Sequence, residues 1–272
     1  MDNTKKSRIV IFVILIIICL FIVGVFLTNR PKNIAEVGTK TGEVLENENL
    51  ENSYNRGEDE GLRKDAYIKV LKDIYFNHEL PNNIELDYDE YYDISQNKFA
   101  IYDVDSDGKD ELIIAYTTSS MAGMKAIIYD FDSSENTIKE EFVEFPTLTF
   151  YNNGVIVALA SHNQGLAGES FWPYTLYKYD DKLDTYMQVG IVDAWDKSIS
   201  EKDSEGNLFP DEIDKNGDGL VYYIMLDGKY ELNTPVDLEE YNEWRKSYIN
   251  DETVQLDIPY INLTEENING IK

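Results

Sequence analysis

The sequence predicts an α+β protein: an antiparallel β meander flanked by an N-terminal and a C-terminal helix, and preceded by a transmembrane helix. Three observations support this fold class. An unbroken apolar segment stands near the N-terminus, helical periodicity follows a polar acidic stretch, and residues 98–195 alternate between apolar and polar side chains with many β-branched and aromatic residues. Four regions are expected: a cytoplasmic N-terminus at 1–8, a transmembrane helix at 9–28, a disordered acidic linker at 29–59, and an extracytoplasmic β-rich domain with flanking helices at 60–272.

The predicted anchor runs from Ile9 to Leu27 as 19 consecutive uncharged, almost wholly apolar residues. As a helix it would be about 28 Å long, close to the hydrocarbon thickness of about 30 Å. A cleaved secretory signal is the alternative, but such signals are usually shorter and end in small residues, which the segment 28–31 does not offer. We therefore expect a lipid bilayer to be the partner of residues 9–28.

The charge distribution indicates orientation and limits the partners. Three basic residues precede the apolar segment and two follow it, which favours a cytoplasmic N-terminus and an extracytoplasmic C-terminal domain at the cell membrane. The only cysteine, Cys19, lies in the anchor, so the domain has no disulfide; this composition resembles exported proteins of low-GC Gram-positive bacteria. The net charge of −28 argues against nucleic acid as a partner, because binding phosphates requires a cationic face.

The elements of the domain follow from periodicity and turn residues. Apolar residues at three- and four-residue spacing predict a helix over 60–78 that ends before Pro81. A second helix is expected over 235–249, with Thr234 as N-cap and Pro235 in the first helical position. It is expected to pack on the sheet, and a partner-binding role is the alternative. Strands are predicted at 98–102, 111–117, 125–129, 138–145, 147–151, 155–161, 174–179, 186–192 and 221–226.

A weak internal repeat with a period near 48 relates the segments 101–132 and 150–180. Each copy contains four strands, which resembles a propeller blade of about 40–50 residues. Two such propeller-blade-like repeats cannot close a propeller, so we expect two packed sheets or one bent sheet. A chance similarity between β meanders is the alternative.

One acidic loop has the spacing of a cation site. Carboxylates stand at relative positions 1, 3, 5 and 9, a glycine stands at position 6, and the carbonyl at position 7 adds an oxygen: Asp103, Asp105, Asp107, Glu111, Gly108 and Lys109. An all-oxygen shell of six or seven ligands suits Ca²⁺. Zn²⁺ is disfavoured because it prefers cysteine and histidine. The alternative is a metal-free Asp/Gly turn.

This D-x-D-x-D-G-x-x-E pattern between apolar strands resembles the calcium loops of FG-GAP/VCBS-type repeats, in which the loop joins two strands of a propeller blade. The resemblance implies that Asp103, Asp105, Asp107 and Glu111 are side-chain ligands. It is not an EF-hand, because position 12 is Ile114 and a strand follows. The wider body, from the first helix to the last, looks like membrane-anchored exported proteins of anaerobic Firmicutes, which implies a location but no activity.

Two further sets of residues are weaker candidates. Asp214, Asn216 and Asp218 form a second possible calcium loop, although position 9 is Tyr222. Acidic segments at 129–135 and 179–182 are expected to be plain turns. A loop that mixes hydrogen-bonding groups with aromatic residues suits a glycan or peptide ligand, and its candidate residues are His162, Asn163, Gln164, Glu169 and Trp172. The alternative for this loop is an anchor formed by a half-buried tryptophan.

The sequence contains no recognised nucleophile motif, nucleotide loop or zinc-protease motif. The leading functional prediction is a membrane-anchored extracytoplasmic domain with a structural calcium site, serving as a cell-surface binding or structural module. One alternative is a carboxylate-dependent hydrolase of cell-wall or host glycans, since paired acids perform that reaction. Another is an envelope sensor or assembly factor whose helix 235–249 docks a partner.

Overall fold

The computed structural model describes residues 59–88, 91–162, 165–232 and 234–271. These residues belong to one compact unit, Tyr54–Lys272. No helix in these described ranges is long and apolar enough to cross a bilayer. The anchor predicted at 9–28 lies outside them, as does nearly all of the linker predicted at 29–59.

The first helix, α1, covers residues 59–72 and continues as a π-helical turn, Asp73–Asn77. It ends at His78, which has a left-handed backbone conformation with φ of 57° and donates its N–H to the Ile74 carbonyl. The predicted apolar face is buried, with Tyr67 and Leu71 fully inaccessible to solvent. The helix expected at 60–78 is therefore present, and it is amphipathic because its buried face packs on a sheet.

Strands β1 (Glu79–Leu80) and β2 (Ile84–Glu85) form a small hairpin after α1. All strands in the two larger sheets are antiparallel. The first sheet has the order β13-β3-β4-β5-β6, and its strands are β3 (Lys98–Tyr102), β4 (Glu111–Tyr116), β5 (Lys125–Asp132), β6 (Thr137–Glu144) and β13 (Ile261–Asn262). The second sheet has the order β12-β11-β10-β9-β8-β7, and its strands are β7 (Leu148–Tyr151), β8 (Val155–Leu159), β9 (Tyr174–Asp180), β10 (Thr185–Asp196), β11 (Leu220–Met225) and β12 (Pro235–Val236).

The expected α+β architecture built on antiparallel meanders is confirmed. Strands β3 to β6 follow one another in the first sheet, and β7 to β10 follow one another in the second. The repeat segments 101–132 and 150–180 span β3 to β5 and β7 to β9, and β6 and β10 complete the two four-stranded meanders. The central strands β4 and β5 are buried almost throughout instead of at every second residue, and their β-branched and aromatic residues are what predicted them.

Two faces of the sheets enclose a shared core. Ile113 and Ile128 of the first sheet belong to the same buried cluster as Phe150 and Ile156 of the second. The opposite face of the first sheet packs against α1 and the short C-terminal helix α3 (Glu265–Asn269). That of the second sheet packs against helix α2 (Leu238–Lys246). The domain therefore has helix, sheet, sheet and helix layers.

The predicted start of the C-terminal helix is wrong by three residues. Thr234 is not the N-cap; Asp237 is, and its carboxylate accepts a hydrogen bond from Glu240 N at 2.9 Å. Pro235 and the following residue instead form β12 on the edge of the second sheet. Proline is tolerated on an edge strand because it has no N–H to contribute to the ladder. The sequence motif Asp-x-x-Glu was the better capping signal.

Candidate metal centre

The loop between β3 and β4 is held by hydrogen bonds to its own acidic side chains. The Asp103 carboxylate accepts from Ser106 N at 2.7 Å and from Gly108 N at 3.1 Å. Asp105 Oδ1 accepts from Asp107 N at 2.8 Å. Ser106 and Gly108 have φ values of 72° and 89°, and glycine adopts such a value readily because it has no Cβ. These bonds close the loop around its carboxylates.

Three of the four predicted carboxylate ligands converge in this loop. Asp103, Asp105 and Glu111 each contribute one oxygen, and these oxygens all lie within 4.8 Å of one another. Two ligands on opposite sides of a Ca²⁺ ion, each at about 2.3–2.6 Å, are separated by up to about 5 Å. Glu111 Oε2 also accepts a hydrogen bond from Val104 N at 2.9 Å, which orients its carboxylate. We call these three residues the loop cluster.

Asp107 and Lys109 interact with each other instead of joining the loop cluster. Lys109 Nζ lies 2.8 Å from Asp107 Oδ2, and Lys109 N donates to Asp107 Oδ1 at 2.7 Å. The charge of Asp107 is therefore already compensated. A ligand role for Asp107 requires its carboxylate to turn away from the lysine ammonium group.

Burial makes the loop cluster electrostatically unfavourable without a cation. Glu111 is 1 % exposed and Asp105 is 8 % exposed. Burial and then the charge of Asp105 raise the pKa of Glu111 to about 10. Burial also raises the pKa of Asp105 to about 6. A divalent cation would reverse both shifts, because an adjacent positive charge favours the ionised carboxylate.

The second predicted calcium loop repeats the hydrogen-bond pattern of the first. Asp214 accepts from Gly217 N at 2.9 Å and from Gly219 N at 2.9 Å. These donors occupy the fourth and sixth loop positions, as do the donors to Asp103 in the first loop. Asn216 Oδ1 at position 3 accepts from the backbone N–H at position 5 at 3.1 Å. The two glycines have φ values of 72° and 81°. The two loops therefore share one backbone conformation.

The second loop differs from the first in what surrounds its oxygens. Asn216 and Asp218 are exposed, and Asn216 Nδ2 donates to Asp218 Oδ2 at 2.9 Å. Tyr222 stands where the first loop has its buried glutamate. Exposed side chains of this kind are solvated, so the second loop lacks the electrostatic strain of the loop cluster.

A second group of converging carboxylates was missed by the sequence reasoning. One oxygen from each of Asp130, Glu141 and Asp184 lies within 4.8 Å of the others, and we call these residues the inter-sheet cluster. Assigning Asp130 to a plain turn was wrong, because it lies inside β5. Its position within an otherwise apolar strand was the available signal. Glu141 and Asp184 had no such signal, since a bulge in the β5–β6 hairpin brings Glu141 to Asp130 and the packing of the two sheets brings Asp184 there.

The residues proposed for a glycan or peptide ligand lie in the connection between β8 and β9. His162 Nδ1 is 2.9 Å from Ser161 Oγ, and the side chain of Glu169 is exposed. Asn163 and Gln164 lie outside the described residues. The structure thus places two candidates at the surface of this loop and leaves two undescribed.

Aromatic residues anchor the same loop. Trp172 Nε1 donates to the Ala160 carbonyl at 2.8 Å, and 44 % of this residue is exposed. Phe171 packs edge-on against Tyr222 and Tyr241, with ring centroids 5.6 Å and 6.0 Å apart. The anchoring role weighed as the alternative is therefore present. Much of the tryptophan still faces solvent.

Comparison of the chain with family models, with curated proteins and with solved structures found no match. The resemblance to FG-GAP/VCBS-type repeats accordingly rests on the β3–β4 loop and its neighbouring strands. Functional assignment depends on the chemistry of the two carboxylate clusters.

In the absence of metal, the stability of the protein is expected to fall as the pH rises above about 4.5, the ordinary glutamate pKa. Burial is the largest cause that raises the pKa of Glu111 to about 10 and that of Glu141 to about 8. The native state therefore holds protons that the unfolded chain releases, and each group lowers the unfolding free energy by up to about 1.4 kcal/mol per pH unit.

Denaturant unfolding in the presence of a chelator, repeated from pH 5 to pH 8, measures this dependence. Glu111→Gln should flatten the curve because it removes one of the titrating groups. A metal-free stability that rises steadily over the same interval would show that these carboxylates are not strained in the native protein.

Proposed function

We propose that this chain is a membrane-anchored extracytoplasmic protein whose β-rich domain carries a structural Ca²⁺ site and serves as a cell-surface binding or structural module. The observation that carries the proposal is the convergence of three carboxylate oxygens in the loop cluster. Carboxylates and carbonyls are the ligands that Ca²⁺ prefers, and its coordination is flexible enough to include water. The Lys109 carbonyl and a reoriented Asp107 are the additional ligands in this proposal.

The arrangement of strands supports the same assignment. The loop cluster joins the first two strands of a four-stranded antiparallel meander. The calcium loops of FG-GAP/VCBS-type repeats hold this position in a propeller blade, and the chain resembles them there. A cation in this loop would fix the end of the β3–β4 hairpin.

A structural role is favoured over catalysis because the ligands are buried. A glycan hydrolase needs two carboxylates that contact its substrate. Glu111 is 1 % exposed, so a sugar cannot reach it without opening of the loop. The sensor alternative would be favoured by an exposed apolar stripe on the C-terminal helix, on which a partner could dock. Tyr241 of α2 is buried, and Trp244 packs against the second sheet.

Direct binding measurements test the calcium proposal. Equilibrium dialysis of the full-length chain in detergent is expected to show Ca²⁺ binding that Asp103→Asn weakens by at least about tenfold, since losing a charged ligand costs more than about 1.4 kcal/mol. Asp251→Asn is the matched control, because Asp251 is exposed and distant in sequence from the loop. Equal Ca²⁺ affinity in the wild type and Asp103→Asn would contradict the loop site.

Two further assignments extend this proposal. The loop containing Asp214, Asn216 and Asp218 is proposed as a weaker Ca²⁺ site, supported by a backbone conformation that matches the first loop. The exposed face of Trp172 is proposed to contact a glycan or peptide. Aromatic faces suit such ligands because they supply rigid apolar contact area. Array screening against both ligand classes tests the second assignment, and an absence of binding to either would contradict it.

The membrane topology is tested by cysteine labelling. Cys19 is the only native cysteine and lies in the proposed anchor. We expect Ser133→Cys, in the exposed β5–β6 hairpin, to react with a membrane-impermeant maleimide on intact cells. Ser7→Cys, on the proposed cytoplasmic side, should react only after permeabilisation. The reverse pattern would place the domain inside the cell.

A further inference from the structure

The inter-sheet cluster is built from both sheets and lies beside the loop cluster, because the causes that raise the pKa of Glu141 are burial and then nearby charges, among them that of Asp105. It shares no carboxylate with the loop cluster. Asp130 lies in β5 and Glu141 in β6, whereas Asp184 ends the turn between β9 and β10 of the second sheet. One oxygen from each lies within 4.8 Å of the others. Two adjacent strands of the first sheet and the β9–β10 turn of the second sheet thus contribute one carboxylate each.

A β-bulge places Glu141 in this cluster. Ile128 of β5 is opposite Phe142, and Tyr129 is opposite Glu140, so Glu141 is the additional residue without a register partner. Bulges redirect side chains and are common beside functional sites. The carbonyl of Glu141 accepts a hydrogen bond from Thr185 Oγ1 at 3.0 Å, which ties the bulge to the second sheet.

The carboxylate of Glu141 is buried and receives no hydrogen bond from a donor in the part of the chain that the structure describes. Glu141 is 5 % exposed, and neither of its oxygens has a hydrogen-bond partner among the described residues. Asp130 is 7 % exposed, and its Oδ1 is unpartnered as well. Three buried oxygens without donors represent a large desolvation penalty, because buried polar groups are nearly always satisfied.

The hydrogen-bond donors near the cluster, Lys139 and Tyr179, bind its third member, Asp184. Lys139 Nζ lies 2.7 Å from Asp184 Oδ2 and also contacts the Asp184 carbonyl. Tyr179 donates its hydroxyl hydrogen to Asp184 Oδ1 at 2.6 Å. Asp184 is therefore oriented and compensated, whereas one oxygen of Asp130 and both oxygens of Glu141 receive no hydrogen bond from the described residues.

We propose that the inter-sheet cluster binds a second hard divalent cation, with Asp130, Glu141 and Asp184 as its carboxylate ligands. The donor set is all oxygen, which favours Ca²⁺, Mg²⁺ or Mn²⁺ over Zn²⁺. Ca²⁺ is the best match because ligands drawn from three separate elements do not impose the strict octahedron that Mg²⁺ requires. The bound ion would link the two sheets, since Asp184 belongs to one and the other two ligands to the other.

Counting bound ions tests this site. Full-length protein in detergent is freed of metal and dialysed against Ca²⁺, with Mg²⁺ and Mn²⁺ as separate arms. Glu141→Gln is expected to lose about one equivalent of bound Ca²⁺, because a neutral amide is a poor substitute for a buried carboxylate ligand. Glu140→Gln is the matched control, since Glu140 is the exposed neighbour on the same strand. It should retain the wild-type stoichiometry.

A second variant and a second measurement keep the result interpretable. Asp184 lies in a turn and its side chain is 46 % exposed, so Asp184→Asn is expected to fold and also to lose one class of sites. In chelator, Glu141→Gln should melt at a higher temperature than the wild type, because glutamine never ionises, whereas the buried Glu141 carboxyl must be either desolvated as a charge or kept protonated. If the melting temperature of Glu141→Gln in chelator is not above that of the wild type, the buried Glu141 carboxylate is not a source of instability in the metal-free protein.

The two cation sites give separable outcomes. Asp103→Asn removes the loop site and should leave the inter-sheet site. Adding Glu141→Gln to Asp103→Asn should therefore lower the number of bound Ca²⁺ ions per chain a second time. If Glu141 simply holds a proton, Glu141→Gln and Asp184→Asn will bind as much Ca²⁺, Mg²⁺ and Mn²⁺ as the wild type. That result overturns the inter-sheet site and leaves the loop site standing.

Discussion

Binding of Ca²⁺ to the loop cluster is expected to raise the free energy of unfolding of the wild-type protein by about 3 kcal/mol, and Glu111→Gln should remove most of this contribution while leaving that of the inter-sheet site. A ligand at about 100 times its dissociation constant stabilises the native state by about 2.7 kcal/mol. Glu111 is the most buried member of the loop cluster, and the loop backbone orients its carboxylate. Its loss should therefore affect cation binding more than the loss of any exposed acid in the loop.

The same substitution is expected to have the opposite effect without metal. The amide that replaces the Glu111 carboxylate can still accept the hydrogen bond from Val104 N through its carbonyl oxygen, and it never ionises. In chelator at pH 8, Glu111→Gln should therefore be at least as stable as the wild type, because the wild-type native state must keep this buried carboxyl protonated at a pH where the unfolded chain releases the proton. The order of the two proteins should reverse when Ca²⁺ is added.

Thermal melting with and without Ca²⁺ measures this reversal. Asp110→Asn is the control: Asp110 is the adjacent exposed acid and lies outside the converging oxygens. It should respond to Ca²⁺ as the wild type does. If Glu111→Gln keeps the full Ca²⁺ increment, the loop cluster is not the site.

Local sequence patterns were sufficient for most strands and for the first loop. The strand Lys98–Tyr102 has the bounds that alternation predicted, and the next strand differs by one residue at its end. Both patterns depend on neighbours in the chain: a strand buries every second side chain, and an acidic loop closes within about nine residues. Such features need no knowledge of the tertiary fold.

The inter-sheet cluster could not be predicted from local sequence patterns. The segment around Glu141 contains two consecutive glutamates, and only the bulge determines which of them turns inward. Asp184 resembles any turn residue, and its Tyr179 and Lys139 partners identify it only after β9, β10 and β6 have assembled. The weak repeat helped here, because it predicted two four-stranded meanders that could pack together.

The packing between the sheets should control the inter-sheet site more than the loop site. Ile156 is fully buried in the core between the sheets, so Ile156→Ala is expected to lower the unfolding free energy by about 2–5 kcal/mol through lost burial and a residual cavity. Asp184 reaches the inter-sheet cluster from the second sheet, whereas the loop cluster belongs entirely to one hairpin of the first. A shift between the sheets therefore separates the ligands of one site only.

Denaturant unfolding and Ca²⁺ dialysis of the same variants separate stability from geometry. Ile114→Ala removes the same atoms from a fully buried position under α1, on the outer face of the first sheet, and is the matched control. Both variants should be destabilised, but only Ile156→Ala should weaken Ca²⁺ binding at the inter-sheet cluster while leaving binding at the loop cluster unchanged. Ile156→Val, expected to cost about 0.5–1.5 kcal/mol, keeps the measurement possible if the alanine variant does not fold. Equal weakening by Ile114→Ala and Ile156→Ala would mean that general stability, not the spacing of the two sheets, controls cation binding.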